Sequence, residues 1–203
     1  TEAEHPIQLL AYEFVADRLA IARFACIGHS TGGLVAQALA LDAPDRIGAL
    51  VLSSTWARPD QRFRDLFELR RLVLERAGER AYTVLGHLLG YPASSYASVL
   101  RPPEPTDASM NHAANAALIS ARIEMLLNYQ RADELGAIAQ PTLIIAAPDD
   151  QIVPFSHAQD LARRISHAQL VELAGGHFVP ATRPVDYAAV VERFMQALDH
   201  APR

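Results

Sequence analysis

The chain has 203 residues, a formal net charge of −5 and half of its residues hydrophobic. That length fits one domain, or a core with an insertion, and the apolar content suffices for a sizeable core. The acidic balance argues against nucleic acid or an anionic membrane surface as a partner, and no apolar run approaches the roughly 20 residues that span a bilayer.

All 18 basic residues are arginine. Without lysine, Schiff-base and pyridoxal chemistry are excluded. The single cysteine, Cys26, cannot form an internal disulfide and reads as a small buried hydrophobe. No metal-ligand spacing and no glycine-rich dinucleotide loop occurs, so the expectation is a protein that needs no cofactor. The sequence as it stands shows no signal peptide, which points to the cytoplasm.

In chain order, Tyr12, Val15, Leu19 and Ala22 recur at helical spacing and predict a first helix. Phe24-Ala25-Cys26-Ile27 predicts a strand, Leu34 to Ala40 a helix, and Ile47 to Ser53 a second strand. Between the first strand and its helix stands Gly28-His29-Ser30-Thr31-Gly32-Gly33, a Gly-x-Ser-x-Gly pattern. A serine hydroxyl is a poor nucleophile and must be held clear of the backbone beside a base. A sharp strand-to-helix turn does this at the cost of strained angles at Ser30, and small residues at 28 and 32 are expected to relieve the clashes. The helix starting after Ser30 directs free N–H groups, that of Thr31 first, at a developing oxyanion. The plainer reading is an ordinary turn that matches by chance; the flanking strand and helix weigh against it.

Residues 57–140 break the alternation of strands and helices. Leu66, Leu69, Val73 and Ala77 predict one helical face, and Ala116, Ile119, Ile123 and Leu126 another. Pro92, Pro102, Pro103 and Pro105 interrupt the region between them. The arginines from Arg58 to Arg80 alternate with Asp60, Asp65, Glu68, Glu75 and Glu79, the pattern of a solvated, ion-paired face rather than an anion-binding patch.

Alternation resumes with the apolar, β-branched run Pro141 to Ala147, which predicts a buried strand ending in Pro148-Asp149-Asp150-Gln151-Ile152-Val153-Pro154. Ala158, Leu161, Ala162 and Ile165 then predict a helix. Gln169 to Leu173 alternates like an edge strand and leads to Ala174-Gly175-Gly176-His177-Phe178. Pro184 opens a last helix with Tyr187, Val190, Val191, Phe194 and Leu198 on one face. The pattern predicts a parallel α/β sheet with right-handed crossovers. A nucleophilic serine needs a base and an orienting acid, each just past the carboxyl end of a later strand. His177 alone among eight histidines stands after the last strand and downstream of an acid. The alternative for His177 is a loop residue capping a turn. His5, His87, His112, His157, His167 and His200 read as surface residues, and His29 as lining the site. Asp149 or Asp150 supplies the acid; the other is a turn residue that uses its carboxylate on N–H groups.

These stretches resemble the α/β-hydrolase superfamily, and within it the aminoacrylate hydrolases of pyrimidine breakdown and the 3-oxoadipate enol-lactonases. The likeness rests on Ile27 to Gly33, Ala49 to Ser54, Pro141 to Pro154 and Gly175-Gly176-His177. It implies an α/β-hydrolase core at residues 1–56 and 141–203, with 57–140 as an all-helical cap over the active site. It implies Ser30 as nucleophile, His177 as general acid/base and Asp150, the second acid of the family's Gly-x-Asp-Asp-x-x-Val-Pro loops, as the orienting acid. Thr31 contributes to the oxyanion hole; His29, Phe178 and Trp56, at the junction of core and cap, are pocket candidates, Trp56 being equally readable as core. The implied reaction is hydrolysis of a small ester, lactone, amide or carbamate-like bond. Within the same triad a cofactor-free haloperoxidase or a thioesterase is the rival, and a non-catalytic scaffold or binding module the rival from another class. Family members carry strands and a His-Gly-rich oxyanion loop before the elbow strand. Their lack here leads us to expect a piece of a longer protein, weak activity of the chain alone, and an elbow strand whose open edge is covered by the missing segment or a second copy.

Overall fold

The computed structural model describes residues 15–97 and 112–200. In chain order the elements are β1 (Phe24–His29), α1 (Thr31–Asp42), β2 (Ile47–Ser53), α2 (Gln61–Gly90), α3 (Ala93–Tyr96), α4 (His112–Asn128), β3 (Thr142–Ala146), α5 (Phe155–Arg164), β4 (Ala168–Glu172), α6 (Val179–Thr182) and α7 (Pro184–Asp199). The four strands make one parallel sheet in the order β1-β2-β3-β4. Parallel neighbours cannot be joined by a tight turn, so each connection crosses over through helix.

The central strands are apolar along their length because both of their faces are covered. Leu50, Leu52, Ile144 and Ala146 meet α1 and α5 through Val35, Leu39, Ala158 and Leu161. Ala49, Val51, Leu143 and Ile145 turn the other way onto Val190 and Phe194 of α7. α1 lies so deep that every residue from Gly33 to Ala40 is buried. β4 is half exposed, as its alternating sequence predicts.

Among the described residues of 57–140 the regular elements are helices. The turn Ala132–Ala137 inside this range belongs to the core beneath the sheet: Ala132, Leu135 and Ile138 pack with Leu39 and Leu161. α2 is two helices joined at Gly78, whose φ of 79° and ψ of 178° interrupt the helix. Its second half returns beside the first, with Tyr82 and Gly86 against Arg70.

Two helical faces and one histidine differ from expectation. Before β1 only residues 15–18 are helical among those described, Ala16 is buried, and Val15 and Leu19 are 54% and 64% exposed. This turn is held instead by Arg46, which pairs with Asp17 and donates to the Ile21 and Ala22 carbonyls. In α2 the buried face is Phe63, Phe67 and Leu74, while Leu69 is 52% exposed. The aromatic rings reach the seam with Trp56 and rotate the helix away from the aliphatic register. His157, expected at the surface, is buried on α5 against Phe63, beside the Asp60 carboxylate that caps α2. Tyr12, His5, Pro102, Pro103 and Pro105 lie outside the described residues.

Candidate active site

β1 delivers the chain into a turn in which Ser30 has a φ of 53° and a ψ of −120°, a left-handed value that a non-glycine residue adopts only under constraint. The constraint is visible. The Ser30 N–H donates to the Ser53 carbonyl at 2.8 Å, and the Ser30 carbonyl accepts from Gly33 at 2.9 Å. A Cβ at Gly28 would lie 2.7 Å from the Gly32 carbonyl carbon and 2.8 Å from the Ala36 Cβ, so only glycine fits. Gly32 is different from expectation: a Cβ there meets open space. The second tight approach is at Gly33, where Thr55 stands 2.5 Å from such a Cβ.

The turn aims the Ser30 hydroxyl at His177, with Oγ 3.0 Å from Nε2. On the other side of the ring, Nδ1 is 2.8 Å from Oδ2 of Asp150. Both His177 and Asp150 are 3% exposed. Asp150 is itself fixed, since its Oδ1 accepts from the Ile152 and Val153 N–H groups at 2.8 Å each. Asp149 instead accepts from the N–H groups of Gly175 and Gly176 at 3.0 Å each. It thus braces the loop that carries His177. Gly176, at φ 70°, sits where a Cβ would lie 2.6 Å from the Gly90 carbonyl oxygen and 2.8 Å from Pro92. The end of α2 therefore rests directly on the histidine loop.

Thr31 opens α1, and an N–H in a helix's first turn has no intrahelical acceptor, so it is free to meet an oxyanion. The His29 ring is 5.3 Å from that of His177, and its Nδ1 is 3.1 Å from the Ser53 hydroxyl. Burial, and then the neighbouring His177, push the His29 pKa down to about 4 against the pull of Asp150. His29 is therefore neutral at ordinary pH, and its buried Nε2 has no partner among the described residues.

Phe178 stands edge-on to His177 at 5.2 Å and packs on Tyr91 at 4.6 Å and His87 at 6.5 Å. His87 and Tyr91, one helical turn apart at the end of α2, thus join the wall of the site. Their i, i+4 spacing just before Pro92 is the only sequence signal for them. Trp56 is fully buried in the seam, its ring 4.4 Å from Phe63, and packs as core rather than as a pocket wall. The assembly can move a proton from Ser30 to His177 while Asp150 holds the ring and balances its charge.

A family model described as alpha/beta hydrolase fold matches residues 9–184. A protein of Variovorax paradoxus named as a candidate carbamate hydrolase, RutD, is 36% identical over 181 residues, covering 88% of this chain and 66% of the relative. Its namesake in Rhizobium rhizogenes is 33% identical over 187 residues, 90% of this chain and 71% of the relative. The chain thus spans about two thirds of the length of these relatives. Among solved structures, a hydrolase from Pseudomonas aeruginosa superposes with a TM-score of 0.75 at 27% identity, over 92% of this chain and 70% of the other. The enol-lactonase of Burkholderia xenovorans superposes with a TM-score of 0.76 at 22% identity, over 93% and 71%. The second likeness speaks for the fold alone.

Proposed function

Because this chain belongs to the α/β-hydrolase fold family, we propose that it is a serine hydrolase that opens a small carbamate-like, ester, lactone or amide bond through an acyl-enzyme on Ser30. The observation that carries the reading is the run of short contacts from Ser30 to His177 to Asp150. The names of the curated relatives support a carbamate-like bond within that range.

The chemistry follows from the geometry. Neutral His177 donates its Nδ1–H to Asp150 and accepts the Ser30 hydroxyl proton at Nε2 as Oγ attacks the carbonyl carbon. The electron pair of the carbonyl moves to oxygen, which faces the Thr31 N–H at the start of α1. Collapse of the tetrahedral adduct expels the leaving group, which takes the proton from Nε2. Water then repeats the sequence on the acyl-enzyme, with Oγ leaving and recovering the proton. Asp150 remains ionised throughout and stabilises the imidazolium. The buried, neutral His29 places no second positive charge against that imidazolium.

The test is covalent labelling by a fluorophosphonate. The expected result is one adduct per chain on Ser30, absent in Ser30→Ala. A chain that takes no label, or takes it on another residue, overturns the reading and favours a scaffold.

A further inference from the structure

α2 touches both of the loops that carry the partners of Ser30. At its start, Arg62 donates to the Gln151 carbonyl at 2.7 Å. Phe63 and Phe67 pack there with Ile152 and Val153, the residues whose N–H groups fix Asp150. At its end, Gly90 meets the loop of His177. The Phe178 N–H donates at 3.3 Å to the Gly90 carbonyl, one of those that a helix end leaves without an intrahelical partner. A Cβ at Gly90 would lie 2.3 Å from Cε2 and 2.8 Å from Cδ2 of Phe178, and a Cβ at Gly176 would lie 2.6 Å from the Gly90 carbonyl oxygen. Glycine on both sides lets the two backbones meet with no side chain between them.

The core holds the same loop by other bonds. Asp149 accepts from the N–H groups of Gly175 and Gly176, and Thr182 Oγ1 donates to the Gly175 carbonyl at 2.7 Å. These bonds fix backbone, whereas a proton relay also needs the direction of the imidazole ring. Phe178 packs edge-on to that ring at 5.2 Å. Phe178 is in turn packed by Tyr91 at 4.6 Å and His87 at 6.5 Å, on and next to the end of α2. A methyl at Gly90 forces a shift of about 1 Å, from 2.3 Å to the 3.4 Å of an ordinary contact, and a misplacement of that size costs about 10²-fold in rate when it reaches the reacting groups. With Tyr91 and His87 on the same ring, Phe178 cannot swing aside without moving them.

We propose that the end of α2 positions the general base: Gly90 sets Phe178, and Phe178 sets the His177 ring between Ser30 and Asp150. Gly90 and Phe178 are positioning residues, and the proton relay is assembled by the helices of 57–140 together with the sheet. The proposal rests on the hydrolase reading above and adds to it a contact outside the sheet on which the chemistry depends.

The experiment follows the rate at which a fluorophosphonate labels Ser30, together with the far-downfield proton resonance of the His177 Nδ1–H bonded to Asp150. Gly90→Ala should label about 10²-fold more slowly, with that resonance shifted or lost. Gly86→Ala, on the same helical stretch but facing the flexible end of Arg70, should stay within about 2-fold of wild type, and Gly90→Ala made in a Phe178→Leu background should cost less than about 3-fold, because leucine lacks the crowded ring atoms. Folding is checked by circular dichroism. A folded Gly90→Ala that labels at the wild-type rate, the same loss in both backgrounds, or slow labelling with an unchanged resonance overturns the proposal. If Gly90→Ala does not fold, Phe178→Ala removes the contact instead of crowding it. It should label about 10-fold more slowly with the same change in the resonance, and wild-type behaviour there is the contrary result. If the wild-type chain takes no label, the hydrolase reading fails. The resonance in wild type, Gly86→Ala and Gly90→Ala then decides the positioning alone, with three identical spectra against it.

Discussion

Asp149 and Asp150 carry the same chemistry one position apart, and the backbone sends them to different partners. Asp150→Asn keeps the shape but leaves the His177 ring without its ionised partner. The expected loss is about 10³–10⁴-fold in kcat, with little change in KM. Asp149→Ala instead removes the acceptor for Gly175 and Gly176. Because Asp149 is exposed, water can replace it in part. A stability loss of about 1 kcal/mol in denaturant titration and a modest fall in kcat are expected. Swapped outcomes would reassign the acid. The sequence offers both aspartates equally, and only the likeness to a family loop separates them, because a carboxylate's direction depends on ψ angles that no spacing reveals. His29 gives a pH test. Its folded pKa of about 4 lies below the ordinary 6.5, so between those values the unfolded chain takes up a proton that the folded chain refuses. Its contribution is complete above pH 6.5 and is lost as pH falls toward 4, by up to about 3 kcal/mol. His157, likewise lowered by burial, adds to the same slope. A His29→Gln variant should flatten the fall in unfolding free energy between pH 6.5 and 4; an unchanged slope would contradict the assignment.

At the scale of elements, glycines that look alike in sequence carry unequal constraints. Gly28→Ala drives a methyl into the first turn of α1 and should cost about 3 kcal/mol or more, with loss of Ser30 labelling. Gly32→Ala meets open space and should retain most activity. Gly78 joins the halves of α2 with a backbone that side chains resist, yet has open space around it. Gly78→Ala should therefore cost about 1–2 kcal/mol through backbone strain alone, read as a lower denaturant midpoint with an unchanged slope. The strands and the triad order are legible in the sequence because short β-branched runs bounded by Gly and Pro have few other readings. The faces of the helices before β1 and in α2 are not. Helical spacing fixes a period, and the rotation about the axis is decided by partners such as Trp56 that are distant in sequence. The same limit hides His157, buried by Phe63, and Arg70, stacked by a ring twelve positions on.

For the whole molecule, β1 is bonded on one side only among the described strands. Ile27, close to the Ser30 turn, is 55% exposed, and Phe24–His29 carries no charge that would discourage another strand. Such an edge is a template for pairing. A solution mass above that of the 22.1 kDa chain, with slow amide exchange at residues 24–28, is expected for the chain as given, and Ile27→Lys should reverse both. A stable monomer with freely exchanging amides there would show that the edge needs no cover.

The same sheet holds three chain segments so that Ser30, His177 and Asp150 meet, and the central claim is that this meeting makes Ser30 a covalent catalyst. Its most direct measurement is the intact and peptide mass of the chain after mixing with an aryl N-methylcarbamate, whose acyl group leaves serine slowly. The expected result is one carbamoyl group on the peptide containing Ser30, with none in Ser30→Ala and a large slowing in His177→Gln. Hydrolysis without an adduct, or an adduct on another residue such as Cys26, would contradict it.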